Sequence, residues 1–275
     1  AITINSDYFN WNGGGNIQFD TLGVVTIQPT SISFGNQPST SWFNFNLNSH
    51  IMTGFNYGKP GNLKSVYLNS DITAAGPVNA YGGWVYTNSN ITTTASGAGI
   101  LLKSSLGLII GEGGNKTFKT NNGNITLWAD SLGNSNGNID IREGMVFNSA
   151  NGSTTQSTGG GAITFAGGSA SDANGLPTGF AYAASGTAAW GDAVPAGVEF
   201  GAYNYGSASN DIRIYSGGGN ILIQGKAADG APGISWRGGS STATQIINAG
   251  SGTITLNGQG IGTGHGIELT YGGSG

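Results

Sequence analysis

The chain has no cysteine in its 275 residues. That excludes disulfides and every cysteine-based metal site. Histidine is nearly as scarce. His50 and His265 are the only two, and neither has a carboxylate or second histidine at metal-ligand spacing. Charge is thin as well: charged residues make up 8% of the chain, against about 25% in ordinary soluble domains. The nine Lys and Arg are scattered and the net charge is −4, so the clustered cationic surface that nucleic acid needs is missing. No apolar run approaches the ~18 residues of a membrane-crossing helix. Helical periodicity is almost absent, because glycine interrupts most windows. The chain opens directly on the strand-like Ala1-Ile2-Thr3-Ile4-Asn5 with no signal-peptide pattern, which reads as a mature or processed segment, or one cut from a longer chain.

What fills the space is glycine, 52 residues of it, with Asn, Ser and Thr. A polar, glycine-rich chain can be disordered. Here, however, 37% of residues are hydrophobic and 10% aromatic, and they fall in short runs that alternate in period two. Disorder does not need that placement; strands do. Strand signals cover 16–20, 23–29, 42–48, 65–69, 84–88 and 99–103, then 162–167, 197–203, 211–215, 220–225, 233–238, 252–258 and 266–272. Gly, Asn, Ser and Asp separate them.

The runs repeat. Gly-Asn-Ile stands at 15–17, 123–125, 137–139 and 219–221, with looser copies at 161–163 and 252–254. In the last third, alternate strand isoleucines (Ile212, Ile234, Ile254, and Ile221, Ile246, Ile267) step by about 20–25 residues, a period that marks a solenoid. Short strands at that period with no helix between them predict an all-β fold, a single-domain parallel β-helix (β-solenoid) over 1–275. Coils of about 20–25 residues would give roughly twelve coils, and the region 30–60 is less regular than the rest. Stacking places Ile, Leu, Val and Phe in an inner column, with Ile125, Ile139, Ile221 and Ile254 expected to be fully buried. Glycine is expected to supply positive φ at the corners, and asparagine to form ladders between coils.

Several of these stretches resemble the repeats of filamentous-haemagglutinin-like bacterial exoproteins. They are 23–34, 54–94, 98–105, 123–131, 216–227 and 250–269. The resemblance covers most of the chain. It implies a right-handed β-helix shaft serving adhesion, aggregation or matrix formation, and an extracellular or cell-surface location. It brings no catalytic motif to transfer.

Chemistry is sparse. A polysaccharide-cleaving β-helix would need clustered carboxylates with a cation beside them. The closest group is Asp130, Asp140, Arg142 and Glu143. Asp140 and Arg142 flank inward-pointing Ile141, which predicts a solvated face with a weak ion pair; Asp211 and Arg213 around Ile212 repeat the pattern. The Gly-Gly-Gly-Asn runs at 13–16 and 217–220 lack the helix and Lys-Ser/Thr of a phosphate loop. Calcium-roll and regular Thr-x-Thr ice-binding arrays are missing, so no cofactor or metal is expected. Among aromatics, Phe43, Phe45 and Leu47 share one side of a strand and read as core, while Trp84 and Tyr86 flank Val85 and read as outward contact residues.

The reading is therefore a structural or adhesive rod without catalysis, and the alternative is a carbohydrate-binding or polysaccharide-cleaving β-helix. Self-association end to end, or continuation in a longer chain, would place Ile2 and Ile4 at one junction and Ile267 and Leu269 at the other. Surface glycans are a further partner for the outward aromatics.

Overall fold

The structure, a computed structural model, describes residues 1–10, 17–45, 50–184, 196–201, 211–228, 230–238 and 244–271. It is a parallel β-helix. The chain passes repeatedly through three sheets in the same order, and each strand pairs in parallel with its equivalents one coil before and one coil after.

The first sheet runs through Ile2–Asn5, Val24–Gln28, Gly54–Tyr57, Val78–Gly82, Ile100–Ser104, Ile125–Ala129, Ile163–Ser171, Ile221–Ala227 and Ile254–Gly260. The second holds Val66–Leu68, Val85–Thr87, Leu108–Ile110, Ile139–Ile141, Val198–Phe200, Ile234–Gly238 and Ile267–Tyr271. The third holds Ile72–Ala74, Ile91–Thr93, Thr117–Lys119, Val146–Asn148, Ile212–Tyr215 and Gln245–Asn248. The nine levels of the first sheet, ~4.8 Å apart, make a shaft of roughly 40 Å, shorter than twelve coils would give.

Coil length explains the difference. Between Phe55, Val78, Ile100 and Ile125, which pair in register, the steps are 23, 22 and 25 residues. From Ile125 to Ile163 the step is 38, to Ile221 it is 58, and to Ile254 it is 33. In the last third, Ile212, Ile234 and Ile254 lie on three different sheets, so their spacing does not measure a coil. A plain coil holds three strands, and most third-sheet strands, Ile212–Tyr215 excepted, are too short for their alternation to be seen in sequence.

Register builds the core. One inward column of the first sheet is Ile2, Val25, Phe55, Val78, Ile100, Ile125, Ile163, Ile221 and Ile254. A second column on the same sheet is Ile4, Ile27, Tyr57, Ala80, Leu102, Leu127, Phe165, Ile223 and Leu256. Ile125, Ile139 and Ile221 are fully buried. Ile254 is not: it is 44% exposed, because its strand is the outermost of the first sheet and no coil covers it.

The Gly-Asn-Ile motif marks a corner where coils nearly touch. A Cβ on Gly123 would lie 2.0 Å from the Ala98 carbonyl oxygen; on Gly161, 2.2 Å from that of Gly123; on Gly219, 2.1 Å from that of Gly161; on Gly252, 2.2 Å from that of Gly219. None of the four has positive φ. Glycine is required here by close approach; the left-handed backbone expected from sequence is found at the corner after the second sheet, at Gly111, Gly144 and Gly201. The following Asn bridges coils: Asn124 Oδ1 accepts from the Ala162 N–H (2.9 Å) and Asn220 Oδ1 from the Thr253 N–H (3.0 Å).

A buried hydroxyl column precedes the same corner. Thr93, Thr120, Ser149 and Ser216 donate to the carbonyls of Ala98, Gly123, Gly161 and Gly219 at 2.6, 2.5, 2.6 and 2.5 Å. Each closes the turn between the third sheet and the first. This feature was not anticipated from sequence; its spacing is irregular, three residues before Gly123 and Gly219 but twelve before Gly161.

At the N-terminal end the interior is filled by rings. Phe43 stacks on Phe19 at 5.3 Å, Phe45 meets Phe55 edge-on at 5.1 Å, and Phe9 meets Phe34 at 5.9 Å. Phe43 is buried and Phe45 packs against the core, as its side of the strand suggested, while Leu47 lies outside the described residues. Trp42 ends a 3-10 turn, Thr40–Trp42, rather than lying in a strand.

Three substitutions test this interior. Ile221→Asp places a charge in a dry column and is expected to cost several kcal/mol. Gly161→Ala forces two backbones apart, with an expected loss of about 1–3 kcal/mol or more. Ser149→Ala strands a buried carbonyl, at about 1–3 kcal/mol. Denaturant titration reads all three, and an unchanged midpoint for Gly161→Ala would remove the close-approach account.

Candidate functional site

Outward rows are where function can sit, since the inward ones are filled. On the second sheet one outward row runs Tyr67, Tyr86, Ile109, Asp140, Glu199 and Ser235. Its start is aromatic and half-buried. Tyr67 and Tyr86 stack at 4.6 Å with 7° between planes, and Trp84 lies 6.2 Å from Tyr86. Val85 points into the core, so Trp84 and Tyr86 face outward. Trp84 lies across Gly107, where a Cβ would come 2.4 Å from its ring. The rings therefore largely satisfy one another. Tyr203 and Tyr205 lie outside the described residues.

Further along the row the expectation of a solvated face fails. Asp140, Arg142, Glu143 and Glu199 are each at most 2% exposed. Alternation correctly points Asp140 and Arg142 away from the core, since Ile139 and Ile141 are fully buried. It carries no information about whether that outer face is covered, and the whole row from Ile109 to Ser235 is. Asp140 and Glu199 each have a cation: Arg142 Nη2 lies 2.7 Å from Asp140 Oδ2, and Arg237 Nε lies 2.8 Å from Glu199 Oε1. Asp211 and Arg213 do form the more open pair, at 2.6 Å, with the Arg side chain 43% exposed. Asp130 is buried apart from these. Its carboxylate accepts from the Asn134 and Ser135 N–H groups, and burial pushes its pKa up against those bonds. Among the described residues no three His, Cys, Asp or Glu gather as a metal would require. His50 pairs with Asp20 at 2.6 Å on the surface.

On the first sheet the longest coil builds a feature that sequence reasoning missed. Strand Ile163–Ser171 parts from Ile221–Ala227 after Phe165, stays paired with Ile125–Ala129 as far as Gly167, and folds back antiparallel as Pro177–Gly179. The hairpin is clamped at its base. Trp128 Nε1 donates to the Gly168 carbonyl at 2.7 Å, and Gln224 Nε2 donates to those of Thr178 and Gly179 at 3.2 and 3.0 Å. Its tip, 169–175, is exposed. There Asp172 Oδ1 accepts from the Asn174 and Leu176 N–H groups, both at 2.9 Å. These bonds, that from Leu176 foremost, hold the Asp172 carboxyl below its ordinary value.

The hairpin overhangs the outer face of the sheet and encloses a groove of about 710 Å³. Asn124, Thr164, Asn220, Leu222 and Thr255 form its floor, and Asp172 stands in its wall. Sequence reasoning passed over it because 168–179 reads only as a Gly/Ser/Asp loop and its floor residues are ordinary repeat positions.

The predicted junction residues occupy the two ends. Ile2 and Ile4 sit half-buried on the first strand of the first sheet, packed against the core. Ile267 and Leu269 sit on the outermost strand of the second sheet, 42% and 67% exposed. Register makes them core positions, since Ile267 pairs with buried Ile234 and Leu269 with Trp236. Among the described residues no helix is long and apolar enough to cross a membrane.

No family model matches the chain, no curated protein matches it and no solved structure matches it.

Two measurements separate these surfaces. Arg142→Met leaves Asp140 in a buried site and is expected to cost about 3–5 kcal/mol, whereas Arg213→Ala should cost about 1 kcal/mol or less. Equal effects in denaturant titration would contradict the burial difference. For the hairpin, lowering of the folded Asp172 pKa means the ionised form holds the tip. Its contribution is complete above the ordinary value of 3.8 and is lost as pH falls through the lowered one. Amide exchange at Asn174 and Leu176, corrected for intrinsic rates, should therefore accelerate on acidification below that point. Exchange that slows instead would show the sign to be wrong.

Proposed function

We propose that this chain is a structural segment of a longer β-helical rod, without catalysis, of the kind that serves adhesion or matrix formation at a bacterial surface. One observation carries the reading. At the C-terminal end three strand edges, Gln245–Asn248, Ile254–Gly260 and Ile267–Tyr271, finish the three sheets at one level. Their core-column residues Ile254, Leu256, Ile267 and Leu269 are 44%, 37%, 42% and 67% exposed. An open parallel edge with an uncovered apolar column is a template for one more coil. The opposite end is different in kind, with its interior filled by aromatic rings and only the first sheet presenting a regular edge. A rod that grows at one end by accepting a coil, from its own continuation or from a second copy, fits that asymmetry. The likeness of the repeats to filamentous-haemagglutinin-like exoproteins supports the same reading and its extracellular setting.

The experiment is light scattering over a concentration series on the 275-residue chain. The chain should self-associate, and the double variant Ile267→Lys, Leu269→Lys should abolish association without lowering the melting temperature. A strictly monomeric parent chain whose last strands are nevertheless protected from hydrogen exchange would defeat the proposal.

A further inference from the structure

We infer that the groove beneath the 168–179 hairpin is a binding site for a neutral oligosaccharide. The inference does not rest on the rod reading; a strictly monomeric chain with protected last strands that binds sugar would refute that reading and leave this one standing.

The first argument is construction. The hairpin adds nothing to the core: its tip is exposed, and its outer strand pairs only with its own partner. Yet it is held by side-chain hydrogen bonds from two different coils, Trp128 and Gln224, and its tip is closed by the Asp172 bonds. A rigid wall over a flat floor is a preorganised site, and preorganisation reduces the ordering cost of binding.

The second argument is chemistry. The floor carries amides and hydroxyls at successive levels ~4.8 Å apart. The Asn124 and Asn220 carbonyl oxygens are committed to the next coil's backbone, and among the described residues their Nδ2 groups have no acceptor. Two amide donors thus remain, two coil levels apart, on exposed side chains. The lining contains no Lys, Arg or His and one carboxylate, Asp172. An anionic polymer would meet no cation and one negative charge, so polyanions are disfavoured. A peptide could add as a strand only along the open edge of Ile254–Gly260 at the rim of the groove; across the floor itself it would meet the face of a sheet and find no edge. A neutral, hydroxyl-rich chain suits what remains. Its hydroxyls can donate to Asp172 and accept from the two amides, and Leu222 gives its C–H face an apolar contact.

The test uses the intact chain and four neutral hexasaccharides: cellohexaose, laminarihexaose, maltohexaose and chitohexaose. A heparin-derived hexasaccharide is the anionic control. Titrations are followed by calorimetry and by the side-chain amide resonances of Asn124 and Asn220. At least one neutral hexasaccharide should bind saturably at millimolar concentration or below and shift both amides. Thr255→Trp and Leu222→Arg, which fill the floor from exposed or half-exposed positions, should each weaken binding at least about tenfold with the melting temperature unchanged. The heparin fragment should neither bind nor compete. The inference is overturned if none of the four binds, if binding leaves both amide resonances unmoved, if either folded variant binds as the parent does, or if the heparin fragment occupies the groove equally well.

Discussion

Backbone hydrogen bonding between coils fixes the axial repeat at ~4.8 Å, and nearly every other feature follows from it. At that spacing each side chain sits directly above the equivalent one in the previous coil. The chain is then a set of columns, and a residue is acceptable only if it tolerates its like as neighbour. Aliphatic side chains do, which gives inward columns such as Val78, Ile100, Ile125 and Ile163. Hydroxyls do when each has its own carbonyl, as Thr120 and Ser149 have in Gly123 and Gly161. Where two backbones approach too closely for any side chain, only glycine remains, as from Gly123 to Gly252.

The same constraint accounts for the scarcity of charge. Like charges one coil apart repel by about 1 kcal/mol in water, and by about 4 kcal/mol where the effective dielectric constant falls to about 20. Repeated columns of Lys or Glu are therefore costly, whereas Asn, Thr and Ser stack without penalty. Where carboxylates do stack, at Asp140 and Glu199 in adjacent coils, each has a guanidinium within 2.8 Å. These charges stand outside the repeat code, in the stretch where coils lengthen to 38 and 58 residues.

That division also decides what the sequence revealed. The fold class was legible because columns repeat: Gly-Asn-Ile or a looser Gly-x-Ile recurs at the tight corners from Gly123 to Gly252, and period-two alternation separates inward from outward residues. The coil length was legible only between Phe55 and Ile125, where nothing is inserted. In the last third, isoleucines from three different sheets imitated a shorter period. The burial of Asp140, Arg142 and Glu143 was hidden because cover over an outer face comes from residues remote in sequence. The groove was hidden for a similar reason. Trp128 and Gln224, which clamp the hairpin, lie 40 and 46 residues from their partners Gly168 and Thr178, and no local pattern relates them.

A columnar fold separates two tasks. The inner columns and the corner glycines set stability and are almost independent of what the outer rows carry. Insertions can therefore be accepted at corners without disturbing register, and Ile163 still pairs with Ile221, 58 positions further along the chain. The cost of such an insertion is chiefly loop closure, which grows only slowly with length. Differentiation should then concentrate in long coils and leave the plain ones as spacer. The structure has that arrangement. The plain coils from Phe55 to Ile125 carry an aromatic row that packs largely on itself, while the extended coil carries both the clamped hairpin and, in Val198–Phe200, the buried Glu199. The open edge at the C-terminal end belongs to the stacking task and the groove to the other. Each is present without needing the other, because the spacing that aligns the columns leaves the outer rows free.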